Sequence, residues 1–404
     1  MLGILFQTTM MGHGMKWFSL GRRALKILEA SNGFCKHDVQ NFGRRLSQRH
    51  ISSRNLSLST APYLLTQEDR RDFMAVFPDV VREIVEHDKT TPELASLYTK
   101  ILQYNVSSGK KLRGLSVVYS YRLLITPERL TPENVTLSQV LGWCVELVQA
   151  FYLVLDDVVD ESTTRRGRPC WHMVPEVGLK AVNHALLIEG AVYKLLKKHL
   201  SGTPAYLPIL ELFHSTTLLT SLGQVLDCNT TNNSGVCFDK INMERYNLII
   251  THKTAHYTFY LPVATAMYLA GVFNPEQHRQ AKSILIEIGR YFQVQDDYLD
   301  VFGENTGKDG TDIQDGKCSW LAVVALQRAT PQQEKIFKEH FGKPGKENVD
   351  AIKSLYEEMG LPRVYEKYEE ETYNMINMRI QQLSAGLPHE LFFGLVERIY
   401  GRKK

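Results

Sequence analysis

Residues 137–160 are apolar almost all round: Val140, Leu141, Trp143, Val145, Leu147, Val148, Phe151 and Leu155 leave no broad face for water. Such a segment predicts a helix buried on every side, with other helices wrapped around it. One polar line runs down it: Glu146, Gln149, Asp156/Asp157 and Asp160, at helical intervals. Buried polar groups are costly unless partnered, so this line predicts a polar cavity beside the helix. A second helix, expected over about 281–302 with Gly303 as its C-cap, repeats the arrangement with Gln293, Asp296/Asp297 and Asp300. Inter-helix hydrogen-bond ladders are the alternative for Gln149 and Gln293.

The two acidic clusters share the pattern D-D-x-x-D, 140 positions apart from Asp156 to Asp296. On a helix the first and last Asp of each lie one turn apart on one face. Facing carboxylates repel unless cations sit between them. Oxygen ligands without His or Cys point to a hard ion, Mg²⁺ with Mn²⁺ as a substitute, and Mg²⁺ binds phosphates together with carboxylates. One acidic pentapeptide would read as a solvated turn; two in hydrophobic helices do not. Basic residues bracket them: Lys110, Lys111 and Arg113, then Arg165 and Arg166, Lys253, Lys308 and Lys317. Singly these are surface charges. Together they supply Arg forks and Lys point charges suited to a diphosphate.

The charge is unevenly spread. Residues 1–60 carry nine Lys/Arg against two acids, whereas the rest carries 38 basic and 42 acidic residues. The body has no basic surplus of the kind nucleic-acid binding needs. The first 65 residues, basic, Ser-rich and acid-poor, are expected to be a disordered mitochondrial transit peptide directing the chain to the matrix. Internal Met10, Met11 and Met15 leave room for a shorter cytosolic form. No apolar run was expected to span a membrane. The six cysteines show no metal or disulfide spacing. From residue 66 to 404 the pattern is helical nearly throughout, so the fold class is all-α: a single-domain helical bundle with a central cavity. Loops are expected at 126–136, 201–208, 229–235 and 303–316.

As ordered, these motifs resemble the trans-prenyltransferase (polyprenyl synthase) family, from about Asp69 to the C-terminus. They are Gly109-Lys110-x-x-Arg113-Gly114, Glu146-x-x-Gln149, Asp156 to Asp160 with Thr164-Arg165-Arg166-Gly167, Gly223-Gln224-x-x-Asp227, Lys253-Thr254-x-x-Tyr257, Gln293-x-Gln295-Asp296-Asp297-Tyr298-Leu299-Asp300, and Gly307-Lys308 through Asp312 to Lys317. The resemblance implies a homodimer condensing isopentenyl diphosphate with dimethylallyl and then geranyl diphosphate. It implies several Mg²⁺ ions on Asp156, Asp160 and Asp296, supported by Asp157, Asp297 and Asp300. Arg165, Lys253 and Lys317 would hold the allylic diphosphate, with Lys308, Gln293, Gln224 and Asp227 nearby. Lys110, Arg113, Gln149 and Arg166 would hold isopentenyl diphosphate, with the basic tail 402–404 closing over it. Lys253, Thr254 and Gln293 would surround the allylic cation, with Tyr257 among the substrate-binding residues. Departures are Ser107-Ser108 before Gly109, His256 in place of an aromatic, and a short 303–308 loop.

Phe151 and Tyr152, five and four residues before Asp156, would lie one turn deeper in the cavity. Core packing would equally account for them. In the family such a pair goes with stopping at fifteen carbons, so farnesyl diphosphate is the expected product. Synthases of geranyl or geranylgeranyl diphosphate are the near alternatives. A terpene cyclase would lack the Lys110, Arg113 and Arg166 set, and a non-catalytic partner subunit would have lost aspartates.

Overall fold

The computed structural model describes residues 66–86, 91–232, 235–303, 310–384 and 386–402. The expected transit peptide, Lys308 and the last two lysines of the tail lie outside the described residues. Among the described residues the helices are α1 (Gln67–Ala75), α2 (Phe77–Val85), α3 (Pro92–Asn105), α4 (Leu112–Leu124), α5 (Pro132–Val159), α6 (Lys180–Leu200), α7 (Tyr206–Cys228) and α8 (Met243–Ile250). They continue as α9 (Leu261–Ala270), α10 (Pro275–Phe302), α11 (Trp320–Arg328), α12 (Pro331–His340), α13 (Lys346–Glu358), α14 (Leu361–Gln381) and α15 (His389–Ile399). The only strands there are two short antiparallel hairpins, β1 (Thr164–Arg165) with β2 (Arg168–Pro169) and β3 (Thr231–Asn232) with β4 (Gly235–Val236). The all-α expectation holds.

Two boundaries differ from the sequence reading, for one reason. Thr131 caps α5 by accepting from Asn134 N, with Pro132 in the first turn, so the helix starts five residues early. Asn274 and Pro275 do the same for α10. Thr91-Pro92 and Thr330-Pro331 repeat the device at α3 and α12. A side-chain oxygen at the cap satisfies a free backbone N–H, and proline there costs no hydrogen bond. A third boundary differs without such a cap: α7 begins at Tyr206, after Ala205, inside the segment expected to be loop.

Helix α5 is the axis of the first hydrophobic cluster, with α2, α4, α6, α7 and α9 around it. Its length and composition alone would pass for a membrane span, but here protein surrounds it. Phe73 stacks on Trp143 at 4.6 Å, Phe77 tilts against it at 4.5 Å, and Trp143 Nε1 donates to Phe73 O at 3.0 Å. Helices α4 and α5 cross where two glycines meet: a Cβ on Gly142 would lie 2.6 Å from Gly114 O. Further clusters join α8 to α11 through α14, and α9 and α10 to α14 and α15.

Between α8 and α9 the chain winds as a ten-residue π-helix, Thr251–Tyr260. It is wedged between α7 and α10, where a Cβ on Gly223 would lie 2.2 Å from Lys253 N and one on Gly289 2.5 Å from Ala255 Cβ. These two close approaches bring Lys253 and Thr254 to both acidic helices.

Candidate active site

The last turn of α5 presents Asp156 and Asp160, both partly exposed. Lys253 Nζ donates to Asp227 Oδ2 at 2.6 Å and lies 3.4 Å from Asp156 Oδ1. Lys317 Nζ donates to Asp160 Oδ2 at 3.0 Å and lies 3.6 Å from the same Asp227 oxygen. Asp227 therefore sits buried between two ammonium groups. Burial alone would raise its pKa, but Lys253 and Lys317 hold the carboxyl below its usual range. Burial, and then Asp156, push the Asp160 carboxyl up. The Lys253 ammonium is stabilised by Asp227 and Asp156 against the opposing effect of its own burial. The site is a set of alternating charges, built in advance.

The second motif meets the first through the π-helix. Thr254, next to Lys253, donates to Gln293 Oε1 at 2.8 Å, and Gln293 Nε2 donates to Asp297 Oδ1 at 2.9 Å. Asp297 Oδ2 accepts from Tyr246 OH at 2.7 Å and from Trp320 N at 2.8 Å. Burial pushes Asp297 up to about 7 despite these three donors, with Asp296 adding to the rise. Asp296 stands half exposed, and Asp300 Oδ2 accepts from Asp312 N at 3.1 Å.

The sequence reading set Asp156, Asp160 and Asp296 on metal with Asp157, Asp297 and Asp300 in support, and the structure divides the six by their surroundings. Asp157 is buried and taken by Arg165, whose Nε donates to it at 2.9 Å. Asp297 is buried and taken by its three donors. Neither faces the open site, so these two brace their motifs, while Asp156, Asp160, Asp296 and Asp300 remain as candidate ligands. Of the tail, Arg402 alone lies among the described residues. It donates to Asp296 Oδ1 at 2.9 Å and lies over the Phe292 ring at 4.0 Å.

Arg113 donates to Tyr257 OH at 2.9 Å and Thr258 Oγ1 at 2.8 Å, stacking on the Tyr257 ring at 4.5 Å. Arg166 NH1 donates to Ser108 O at 2.6 Å, and Lys110 is exposed on the same turn. Gln149 is half-buried one turn after Glu146. Below Asp156, Phe151 is buried and lies 4.8 Å from the Tyr152 ring, whose hydroxyl donates to Thr217 O on α7 at 2.6 Å. Sequence reading missed Tyr246, Trp320 and Thr258, because the contacts they make cross long stretches of chain.

Among the described residues, no three His, Cys, Asp or Glu side chains converge as a ready-made cage for a metal. The donor chemistry nevertheless fits Mg²⁺: carboxylate oxygens from two motifs, beside cations able to hold phosphate oxygens that complete the coordination. The Gln224 amide nitrogen is buried without a partner, a donor suited to an anionic ligand.

A polyprenyl synthetase profile matches residues 95–359. The chain is 53% identical over 358 residues to farnesyl pyrophosphate synthase of Nezara viridula, covering 88% of each, and 45% identical over 342 residues to that of Homo sapiens, covering 83% of this chain and 82% of the human one. A T. brucei farnesyl diphosphate synthase structure with risedronate superposes with a TM-score of 0.78 at 29% identity, over 83% of this chain and 99% of that one. With two acidic motifs joined through one π-helix and these relatives spanning most of its length, the chain belongs to the polyprenyl synthetase family and is a prenyltransferase.

Proposed function

We propose that the chain is a farnesyl diphosphate synthase, joining isopentenyl diphosphate head-to-tail to dimethylallyl and then geranyl diphosphate. The observation carrying this is the bridge between motifs: Lys253 touches Asp156 while its neighbour Thr254 bonds Gln293 of the second motif. Asp156, Asp160, Asp296 and Asp300 would hold Mg²⁺, which when bound neutralises charge growing on the departing diphosphate. Lys253, Lys317 and Arg165 then take the diphosphate oxygens, exchanging their present carboxylate partners for phosphate. The Thr254 hydroxyl and the Gln293 amide turn dipoles toward the allylic carbon as it becomes cationic. Lys110, Arg113, Gln149 and Arg166 orient isopentenyl diphosphate for attack by its double bond. No side-chain general base is required, since the released diphosphate can accept the proton. Phe151 and Tyr152 form the floor that stops growth at fifteen carbons.

The exposed apolar residues Val182 and Leu186 on α6 and Leu218, Leu222 and Val225 on α7 suit a homodimer interface. The leader suits mitochondrial import. A product assay with isopentenyl and geranyl diphosphates and Mg²⁺ tests the main reading. Farnesyl diphosphate is expected as the dominant product; geranylgeranyl diphosphate as the main product would overturn the chain length, and no condensation would overturn the activity.

A further inference from the structure

Lys111 has no part in the chemistry above, yet it is among the most buried charges in the molecule, its side chain 1% exposed. It follows Lys110 directly and adopts a left-handed backbone, φ 58°, as the N-cap of α4. Such a conformation is uncommon without glycine and persists only where the surroundings enforce it. Its ammonium donates to Val106 O at 2.5 Å, capping the end of α3, and to Ser108 O. It lies 3.7 Å from Glu146 Oε2 on α5 and 5.5 Å from the Trp143 ring. The other oxygen of Glu146 accepts from Gly114 N at 2.9 Å in the first turn of α4. One buried pair thus ties three helices to a single turn.

That turn carries the residues assigned to isopentenyl diphosphate. Lys110 precedes Lys111, Arg113 follows by two, and Arg166 donates to the same Ser108 carbonyl that Lys111 holds. The fit is close: a Cβ on Gly109 would lie 2.6 Å from the Arg166 guanidinium carbon. Burial pushes the Lys111 ammonium down to about 8, against the opposing effect of Glu146. A lysine retained at such cost, touching no substrate position, is placed to hold shape.

We propose that Lys111, braced by Glu146, is the positioning residue of the isopentenyl diphosphate subsite, fixing the turn from which Lys110, Arg113 and Arg166 act. This rests on the assignment of that subsite above, so Arg113→Ala serves as its control. The test is full-chain Lys111→Met and the double variant Lys111→Met/Glu146→Gln, which removes both charges while keeping an acceptor for Gly114 N. KM for isopentenyl and for geranyl diphosphate, kcat and melting temperature are measured for each. Expected is a KM for isopentenyl diphosphate raised ten-fold or more, with KM for geranyl diphosphate changed less than two-fold. The double variant should recover melting temperature without recovering that KM, and it carries the test if the single variant does not fold. Equal rises in both KM values, or an unchanged KM for isopentenyl diphosphate in a folded variant while Arg113→Ala raises it, overturn the positioning role. If Arg113→Ala leaves that KM unchanged, the subsite assignment falls first and the proposal with it.

Discussion

Replacing Gly223 by Ala probes how Lys253 is placed. The added methyl would lie 2.2 Å from Lys253 N and 2.7 Å from its Cα, both backbone atoms that no rotamer change can move. Restoring ordinary contact requires α7 and the π-helix to separate by roughly 1 Å, an overpacking cost of about 1–3 kcal/mol. The helix propensity of Ala returns about 0.5–1 kcal/mol, leaving a net loss of roughly 0–2.5 kcal/mol, centred near 1. The larger effect is on placement. Asp227, one turn beyond Gly223, bonds Lys253 at 2.6 Å, and a 1 Å separation breaks that bond at the point where the allylic diphosphate is expected. Displacements of that size typically cost about 10²-fold in rate. Calorimetry and steady-state kinetics with geranyl and isopentenyl diphosphates should show a melting temperature lower by a few degrees and kcat lower by about two orders of magnitude. An unchanged or higher melting temperature with kcat within two-fold of the parent would refute the seating of the π-helix on Gly223.

Asp156→Ala or Asp296→Ala should abolish Mg²⁺-dependent turnover by several orders of magnitude with melting temperature retained; near-normal turnover would remove these residues from the metal site. The Phe151→Ala/Tyr152→Ala variant should shift products toward twenty carbons or more, and chromatography showing only farnesyl diphosphate would return the pair to core packing. His256 is buried, edge-on to Tyr260 and faced by Lys282, His252 and Arg290, and burial first, then these neighbours, push it down to about 4. The unfolded chain takes up that proton below pH 6.5 while the folded chain refuses it until about 4, so stability is full above 6.5 and falls on acidification. His256→Phe should therefore lose about 1–2 kcal/mol less than the parent between pH 7 and pH 5 in urea titrations, and parallel losses would refute this. Residues 1–65 fused to a fluorescent reporter should carry it into mitochondria; a diffuse or secreted reporter would rule the leader out.

The acidic repeats and the buried segment before the first of them were enough to read helices around a polar cavity, because charge in an apolar helix demands partners. Which groups take up the two supporting aspartates was not legible. Asp157 and Asp297 look like their neighbours in the chain, and only Arg165, Tyr246 and the Trp320 amide reveal that they are spoken for. The starts of α5 and α10 lie in Thr131-Pro132 and Asn274-Pro275, before the apolar spacing from which the two helices are read. The π-helix had no signature at all, since apolar spacing over ten residues does not separate one helical pitch from another.

That π-helix limits how the length of the chain can change. Its ladder runs to the fifth residue rather than the fourth, so each wide turn holds an extra residue. With the wide ladder kept, deleting one residue between Lys253 and Tyr257 would turn everything beyond by nearly a quarter turn relative to what precedes it. Lys253 would keep Asp227, while Arg113 would lose Tyr257 and Thr258. A point substitution here perturbs one contact; a single-residue deletion separates the two substrates' binding groups from one another. The segment is open to changes of side chain but closed to changes of count.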